Sequence, residues 1–314
     1  MKYLVSTLFL FIIQQVLFAQ SKGEVAKNNK GELRLDNSVF WEISGKGLKK
    51  PSYLFGTHHL YPTEKMKKNE FVQGKIKETE VVVGEIALDN MLAASFVMMK
   101  YSMMEDTTLL DLLGEKKYKE IDAYMQKNMQ MGIAMFNRMR PIILVQMISM
   151  KKASQDLNLP ESTNGDIGNS LDGYFQQYGK SLNKKVVGLE TIDYQANVLL
   201  KGYTLQRQAE MLIEAIEDKG TQSADMYQKL NKFYQEQNLN ELATLALEGD
   251  VMQKSEYDAL LKKRNDAWMP QIEQLIHEKP TFIAVGALHL VGVDGLIYQL
   301  RKKGYTVKPL KITM

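Results

Sequence analysis

The sequence predicts a mixed α/β fold, in which a central sheet carries two strand-GxxH-helix-strand units and is interrupted by large helical insertions. Three observations predict this fold. Apolar runs of strand length lead into Gly-x-x-His at two places, GTHH (56–59) and GALH (286–289). Each motif is followed by a segment with helical spacing and then by another extended segment. Most of the chain between the two units has the periodicity of amphipathic helices.

The first nineteen residues have the pattern of a secretory signal peptide. A lysine at position 2 precedes a short apolar stretch that ends at Ala19. We expect cleavage after Ala19 or Gln20, export to a periplasm or to the medium, and no stable membrane anchor on the mature chain. An uncleaved N-terminal anchor is the alternative. Residues 20–314 are predicted to form one domain.

The first unit begins with two extended segments, 38–45 and 51–57, which are joined by a turn-like Lys-Gly-Leu-Lys-Lys-Pro sequence and predict a hairpin. Thr63 resembles an N-cap, and residues 64–79 place Met66, Phe71 or Val72, and Ile76 at helical spacing. A valine-rich segment, 81–88, then predicts a buried strand that carries Glu85.

The middle of the chain predicts helical insertions at about 91–165 and 195–278. Between them lie a short helix around LDGYFQQYG (171–179) and one strand, KKVVGLE (184–190). The chain has 19 methionines, which fall largely in residues 91–150. Core filling and a soft, adaptable binding surface both account for such a methionine-rich region.

The second unit repeats the order of the first. TFIAV (281–285) predicts a buried strand, GALH follows, residues 293–303 have the apolar spacing of a helix, and residues 305–312 return to an extended pattern. Two units with Gly and His in matched positions indicate an internal repeat.

Composition excludes several classes of function. The net charge of +3 is small, and lysines and aromatic residues do not interleave in a stripe, so nothing indicates nucleic-acid binding. The chain has no cysteine, which excludes a thiolate nucleophile and leaves His, Asp and Glu as metal ligands. It also lacks the GxSxG, HExxH and Walker patterns.

The two GxxH motifs predict a site at one edge of the sheet. Side chains that follow parallel strands meet at the carboxyl edge, where ligands bind in open α/β sheets. His59 and His289 should therefore meet there, together with Glu85, which either ligates a metal or acts as the general base that takes the proton of water. Two imidazoles and a carboxylate can hold a divalent metal with an open position for water, as metal-assisted hydrolysis requires. Intrinsic affinity alone favours zinc.

Further polar residues are candidates for the same edge. His58 should pack against or orient the loop, while Asp172 and Glu190 are carboxylates near the 184–190 strand. Arg264, beside Asn265, either clamps a carboxylate or a developing oxyanion, or is an ordinary helix-surface residue. The fourth histidine, His277, is expected on the solvent side of a helix.

Several short segments together resemble the TraB/GumN family, which includes the Tiki proteases and belongs with the erythromycin-esterase-like and ChaN-like proteins. The resemblance runs from about Phe40 to Lys311. The segments are LFGTHHL, VVGE, LDGYF, VVGLET followed by Gln195, the Arg-Asn pair before Trp268, and VGALHLVG.

The resemblance implies an active site formed by His59, His289 and Glu85, and it places Arg264, Asn265, Asp172 and Glu190 at matching family positions. It implies a metal-dependent peptidase that uses manganese or cobalt and acts on peptide or protein. The ChaN-like relatives bind haem, so the resemblance also implies an alternative, a haem- or metal-binding protein without hydrolysis. In a third hypothesis the histidines are vestigial and the chain is a scaffold that binds a partner.

Overall fold

The computed structural model describes residues 34–59, 61–89, 91–156, 170–217, 221–247 and 254–314. The predicted signal peptide lies outside these ranges. The chain divides into two compact units. A helical unit comprises the described parts of 91–166 and 192–228, and a sheet unit comprises those of 21–90, 167–191 and 229–314.

The described residues of the sheet unit contain a six-stranded sheet of order β4-β3-β5-β2-β1-β6. The strands are β1 (Phe40–Ser44), β2 (Ser52–Thr57), β3 (Val81–Gly84), β4 (Lys185–Gly188), β5 (Thr281–Gly286) and β6 (Thr306–Leu310). The mixed α/β class and the predicted hairpin are confirmed, since β1 and β2 pair antiparallel.

Four neighbouring strands of this sheet are parallel, because β5 pairs parallel with both β2 and β3, and β3 pairs parallel with β4. Thr57 is level with Gly286, and Gly84 is level with Gly188. The last strand of the second strand-GxxH-helix-strand repeat, β6, does not lie beside β5 but pairs antiparallel with β1 at the far edge of the sheet.

Thirteen α-helical segments are numbered here in chain order within the described ranges. They are α1 (Thr63–Lys67), α2 (Glu70–Glu78), α3 (Met91–Ser102), α4 (Leu109–Met129), α5 (Pro141–Asp156), α6 (Leu171–Ser181), α7 (Ile192–Lys201), α8 (Leu205–Glu217), α9 (Thr221–Gln235), α10 (Leu239–Leu247), α11 (Lys254–Tyr257), α12 (Lys263–Glu278) and α13 (Leu296–Lys302). Short 3₁₀ turns occupy Ile133–Phe136 and Ala287–His289, and a π-helical turn, Asp258–Lys262, leads into α12.

The single helix predicted over 64–79 is wrong, because the segment forms two helices. The side chain of Asn69 accepts a hydrogen bond from the Val72 amide and caps α2, so the chain restarts there. Thr63 is the first residue of α1 and not its N-cap. Of the two apolar alternatives, Val72 is buried and Phe71 is 46% exposed.

The two valine-rich strands are shorter than predicted. β3 ends at Gly84 instead of residue 88, and β4 ends at Gly188 instead of residue 190. In both cases the parallel ladder stops at the glycine, and the following residues turn away from the strand. Both glutamates, Glu85 and Glu190, therefore lie just beyond strand ends.

The helical unit contains α4 and α5, and both confirm the helices predicted between 106 and 155. Thr108 and Asp111 form a reciprocal capping box at the start of α4. The methionines divide between two environments: Met98 and Met125 are buried, whereas Met135 is 73% exposed. Core filling therefore accounts for only part of the methionine-rich region.

The core of the sheet unit is aromatic on the face covered by α6. The ring of Phe175 from α6 lies 4.9 Å from that of Phe55 and 5.0 Å from that of Phe282. These contacts fix α6 against strands β2 and β5, whose own residues are fully buried. Among the described residues, no helix combines the length and the apolar character needed to cross a membrane.

Candidate functional site

The carboxyl ends of the four parallel strands bring the predicted site residues together. His58 and His59 follow β2, Glu85 follows β3, Glu190 lies two residues beyond β4, and His289 closes the turn after β5. The structure thus places both GxxH histidines at one edge, although they are 230 positions apart in the sequence.

The glycines of the two motifs make room for close approach. A β-carbon on Gly56 would lie 3.0 Å from the α-carbon of Ala287, and one on Gly286 would lie 3.2 Å from a carboxylate oxygen of Glu85. Neither glycine has a positive φ, so these positions require glycine because a larger side chain has no space, and not because the backbone is left-handed. The Gly286 amide donates to the same Glu85 oxygen at 2.9 Å.

His59 is paired with Asp172, which α6 supplies from its first turn. The Nδ1 atom of His59 lies 2.8 Å from one carboxylate oxygen of Asp172, and the hydroxyl of Thr57 donates to the other oxygen at 2.8 Å. Because a carboxylate accepts, Nδ1 of His59 carries the proton and donates it to this bond. The Nε2 atom of His59 has no hydrogen-bond partner in the described part of the chain.

Arg264, on α12, is fully buried at the centre of the site. Its Nε and Nη2 atoms donate to the two oxygens of Glu190 at 3.0 and 2.7 Å, and Nη2 also donates to Glu85 at 2.6 Å. Its Nη1 atom donates to the Leu260 carbonyl and to Nε2 of His289, both at 3.1 Å. The hypothesis of a helix-surface arginine is therefore wrong.

The bonds of Arg264 use all five of its N–H donors. In this arrangement the guanidinium has no donor left for a developing oxyanion. It holds two buried carboxylates in place, and its Cζ atom lies 4.7 Å from the ring centroid of Trp268, whose own Nε1 atom donates to Glu190 at 3.1 Å.

Asn265 orients His289. Its side-chain nitrogen donates to the carbonyls of His289 and Asp294 at 3.1 and 2.8 Å, which leaves its oxygen to accept from Nδ1 of His289 at 2.7 Å. Since Arg264 can only donate, Nε2 of His289 is an acceptor and the imidazole is neutral. Burial, and then Arg264, lower the pKa of His289 to about 3, in agreement with this tautomer.

The pKa values of the two GxxH histidines are shifted in opposite directions. Burial alone would lower the pKa of His59, but the Asp172 carboxylate, aided by Glu85, outweighs burial and leaves that pKa raised. For His58, burial and the neighbouring His59 lower the pKa to about 3. His58 is 2% exposed, and its ring packs 5.1 Å from that of Tyr234.

The two glutamates are also held differently. Burial alone would raise the pKa of Glu85, but Arg264 and both GxxH histidines outweigh it and lower that pKa to about 2. Burial raises the pKa of Glu190, against the opposing effect of Arg264. Glu85 is thus the carboxylate that stays ionised most firmly, and its oxygen lies 3.8 Å from Nε2 of His289.

Sequence reasoning missed Thr57 and gave Trp268 no role, although both contact site carboxylates. Thr57 lies in the GTHH motif, and Trp268 lies in the same segment as the Arg264–Asn265 pair. His277, by contrast, is exposed as predicted, and its Nε2 atom lies 2.8 Å from the Tyr305 hydroxyl.

A family model described as the TraB/PrgY/gumN family matches residues 39–309. Comparisons with curated proteins and with solved structures found no significant match. The matched range covers β1 to β5, all of β6 except Leu310, and every site residue described above. The chain therefore belongs to the TraB/PrgY/gumN family.

Proposed function

We propose that this protein is an exported hydrolase of peptide or protein substrates, with its reaction centre at the carboxyl edge of β2, β3 and β5. The observation that carries the proposal is the partly buried His59–Asp172 pair, which lies at the same edge as Glu85 and His289. A histidine oriented by a carboxylate, with its other nitrogen unpaired, is a recurring way to hold a metal or to take a proton from water.

The donor chemistry of this edge fits a divalent metal. Both histidines give their Nδ1 proton to an oxygen, Asp172 for His59 and Asn265 for His289, which directs Nε2 into the site as histidine ligands of metals do. Glu85 supplies the carboxylate. Glu85 and Glu190 share the one guanidinium of Arg264, so a cation bound at Glu85 would balance the second negative charge.

One contact opposes the fit. Nε2 of His289 accepts a hydrogen bond from Arg264, so this nitrogen becomes a ligand only when that bond is given up. As they stand, no three His, Asp or Glu side chains in the described ranges are arranged to hold a metal ion. We propose that manganese, cobalt or zinc binds to His59, His289 and Glu85 with loss of this one bond. A bound ion would lower the pKa of water and polarise a carbonyl.

The Arg264–His289 contact favours a second candidate, hydrolysis without a metal. His59 would then accept a proton from water at Nε2, and Asp172 would stabilise the resulting imidazolium. Glu85 is a poor base in either version, because its pKa is near 2 and it is held by Arg264 and by the Gly286 amide. We assign to it the role of ligand or electrostatic anchor.

The deciding experiment uses the mature protein purified without chelator and without a histidine tag. Bound metal is measured by elemental analysis, and cleavage of a mixture of unstructured peptides is followed by mass spectrometry. The variants are His59→Ala and His289→Ala, with His277→Ala as the matched control because His277 lies at the surface. About one metal ion per chain, lost together with cleavage in both site variants and kept in the control, is the expected result.

Other outcomes separate the alternatives. Cleavage that persists in the wild type after chelation, and is lost in His59→Ala, supports the metal-free reaction. A haem Soret band that depends on either histidine, with no cleavage, supports the haem-binding hypothesis. Site variants that bind metal and cleave peptides like the wild type would refute the proposed centre altogether.

A further inference from the structure

We propose that Tyr234 is a positioning residue for the GTHH turn and, through that turn, for His59. The inference rests on the proposed function, which makes His59 part of the reaction centre. Tyr234 lies in the last turn of α9 and belongs to the sheet unit. It is fully buried, and its hydroxyl donates to the Gly56 carbonyl at 2.7 Å.

The Gly56 carbonyl lies where the pairing of β2 with β1 ends. The last pair of that antiparallel ladder is Phe40–Phe55, so the Gly56 carbonyl needs a partner from elsewhere. The Tyr234 hydroxyl supplies this donor at the start of the GTHH turn.

Ring packing keeps the phenol in place. The ring of Tyr234 meets those of His58 and Tyr61 edge-on, each at a centroid distance of 5.1 Å. Burial, the largest cause, together with the nearby Asp172 carboxylate, raises the pKa of Tyr234 well above 10. The hydroxyl therefore stays protonated and keeps donating to Gly56 at any ordinary pH.

Through the GTHH turn, this hydrogen bond would set the position of His59. His59 follows His58 directly, and its bond to Asp172 requires its backbone to be set relative to α6, which carries Asp172. Loss of the phenol oxygen would remove this donor from the buried Gly56 carbonyl, and the turn would shift to find a new one. A small shift would lengthen the His59–Asp172 hydrogen bond while leaving His289 in place, because Asn265 holds His289 independently.

The test compares Tyr234→Phe with Tyr61→Phe. Tyr61 is a matched control, since it is 1% exposed in the same ring cluster and its hydroxyl has no hydrogen-bond partner among the described residues. Proton NMR reads the imidazole Nδ1–H signals of His59 and His289, which are assigned by their loss in the alanine variants. We expect Tyr234→Phe to shift or broaden the His59 signal and to leave the His289 signal unchanged. Tyr61→Phe should leave both unchanged.

Peptide hydrolysis supplies the second measurement. We expect Tyr234→Phe to lower kcat by about 10- to 100-fold with little change in KM, the range found for residues that orient a ligand or a base. An unchanged His59 signal with kcat within about two-fold of the wild type would overturn the proposal. If the wild type itself cleaves no peptide, the proposed function fails, and the NMR comparison still decides the role of Tyr234.

A second variant covers the case in which Tyr234→Phe does not fold. Replacement of Tyr234 by 3-fluorotyrosine keeps the ring and the hydroxyl but makes the phenol more acidic, so its hydrogen bond to the Gly56 carbonyl strengthens. The His59 signal should move and that of His289 should not. A His59 signal identical to that of the wild type would refute the positioning role of Tyr234.

Discussion

Replacement of Arg264 by methionine should destabilise the sheet unit severely, because it leaves two buried carboxylates without their cation. Arg264 is fully buried, and the side chains of Glu85 and Glu190 are 7% and 4% exposed. Breaking a buried ion pair by removing one partner costs about 3–5 kcal/mol. The lowered pKa of Glu85 gives the same order: a shift from 4.5 to about 2 corresponds to about 3 kcal/mol, at about 1.4 kcal/mol per pKa unit.

Urea unfolding at pH 7, followed by tryptophan fluorescence, measures this loss, since both tryptophans, Trp41 and Trp268, are in the sheet unit. Arg264→Lys keeps the charge but cannot donate two parallel bonds to Glu190, so we expect an intermediate loss. Lys279→Met is the control, because it removes only the exposed partner of Glu80 and should leave the midpoint unchanged.

The double variant Arg264→Met/Glu190→Gln tests the cause of the loss. If unpaired charge is what destabilises the single variant, removing one of the two carboxylates should restore part of the stability. A loss below about 1 kcal/mol in Arg264→Met, or a double variant less stable than the single one, would refute the argument that Arg264 compensates buried charge.

Four further predictions concern other parts of the chain. Gly188→Ala should destabilise the fold by about 1–3 kcal/mol in urea unfolding, because its β-carbon would lie 2.5 Å from a backbone nitrogen. Gly74→Ala, with nothing within 4 Å of the new carbon inside α2, should stabilise it by about 0.5–1 kcal/mol. Burial alone would raise the pKa of Glu273, but two lysines outweigh burial and lower that pKa to about 2. The stability that this carboxylate adds is therefore present above its ordinary pKa of 4.5 and is lost as pH falls through 2. In acid titrations of unfolding, the difference in stability between wild type and Glu273→Gln should shrink over that window. Expression in a secreting host, followed by N-terminal sequencing, should find the mature chain starting at residue 20 or 21, and an intact leader would refute the predicted cleavage.

The sequence predicted those parts of the fold that local patterns determine. Apolar runs ending in Gly-x-x-His located β2 and β5, and their parallel direction followed from the helix-containing connection after each. The position of β6 was not predictable in this way, because the extended pattern at 305–312 does not show which strand it will pair with. The break at Asn69 was missed for a related reason: one capping side chain outweighed a helical periodicity that continues through it.

The sequence predicted which residues lie at the site better than it predicted the hydrogen bonds between them. Strand ends identify His59, Glu85, Glu190 and His289, since side chains beyond parallel strands share one edge. The pairing of His59 with Asp172 depends on how α6 packs on the sheet, which the sequence does not state. Arg264 has the sequence surroundings of a surface helix, and only the π-helical turn before α12 and the buried carboxylates explain its position.

The arrangement of Arg264 bears directly on how a metal would enter. Four of its five hydrogen bonds, to Glu85, Glu190 and Leu260, do not involve His289. Giving up the bond to His289 would therefore leave the arginine charge paired and the helix anchored. The nitrogen that is released belongs to a neutral imidazole whose Nδ1 is already fixed by Asn265, so it needs no deprotonation to bind an ion. In the proposed function, the metal-dependent and the metal-free reaction would thus differ by one hydrogen bond, the one between Arg264 and Nε2 of His289.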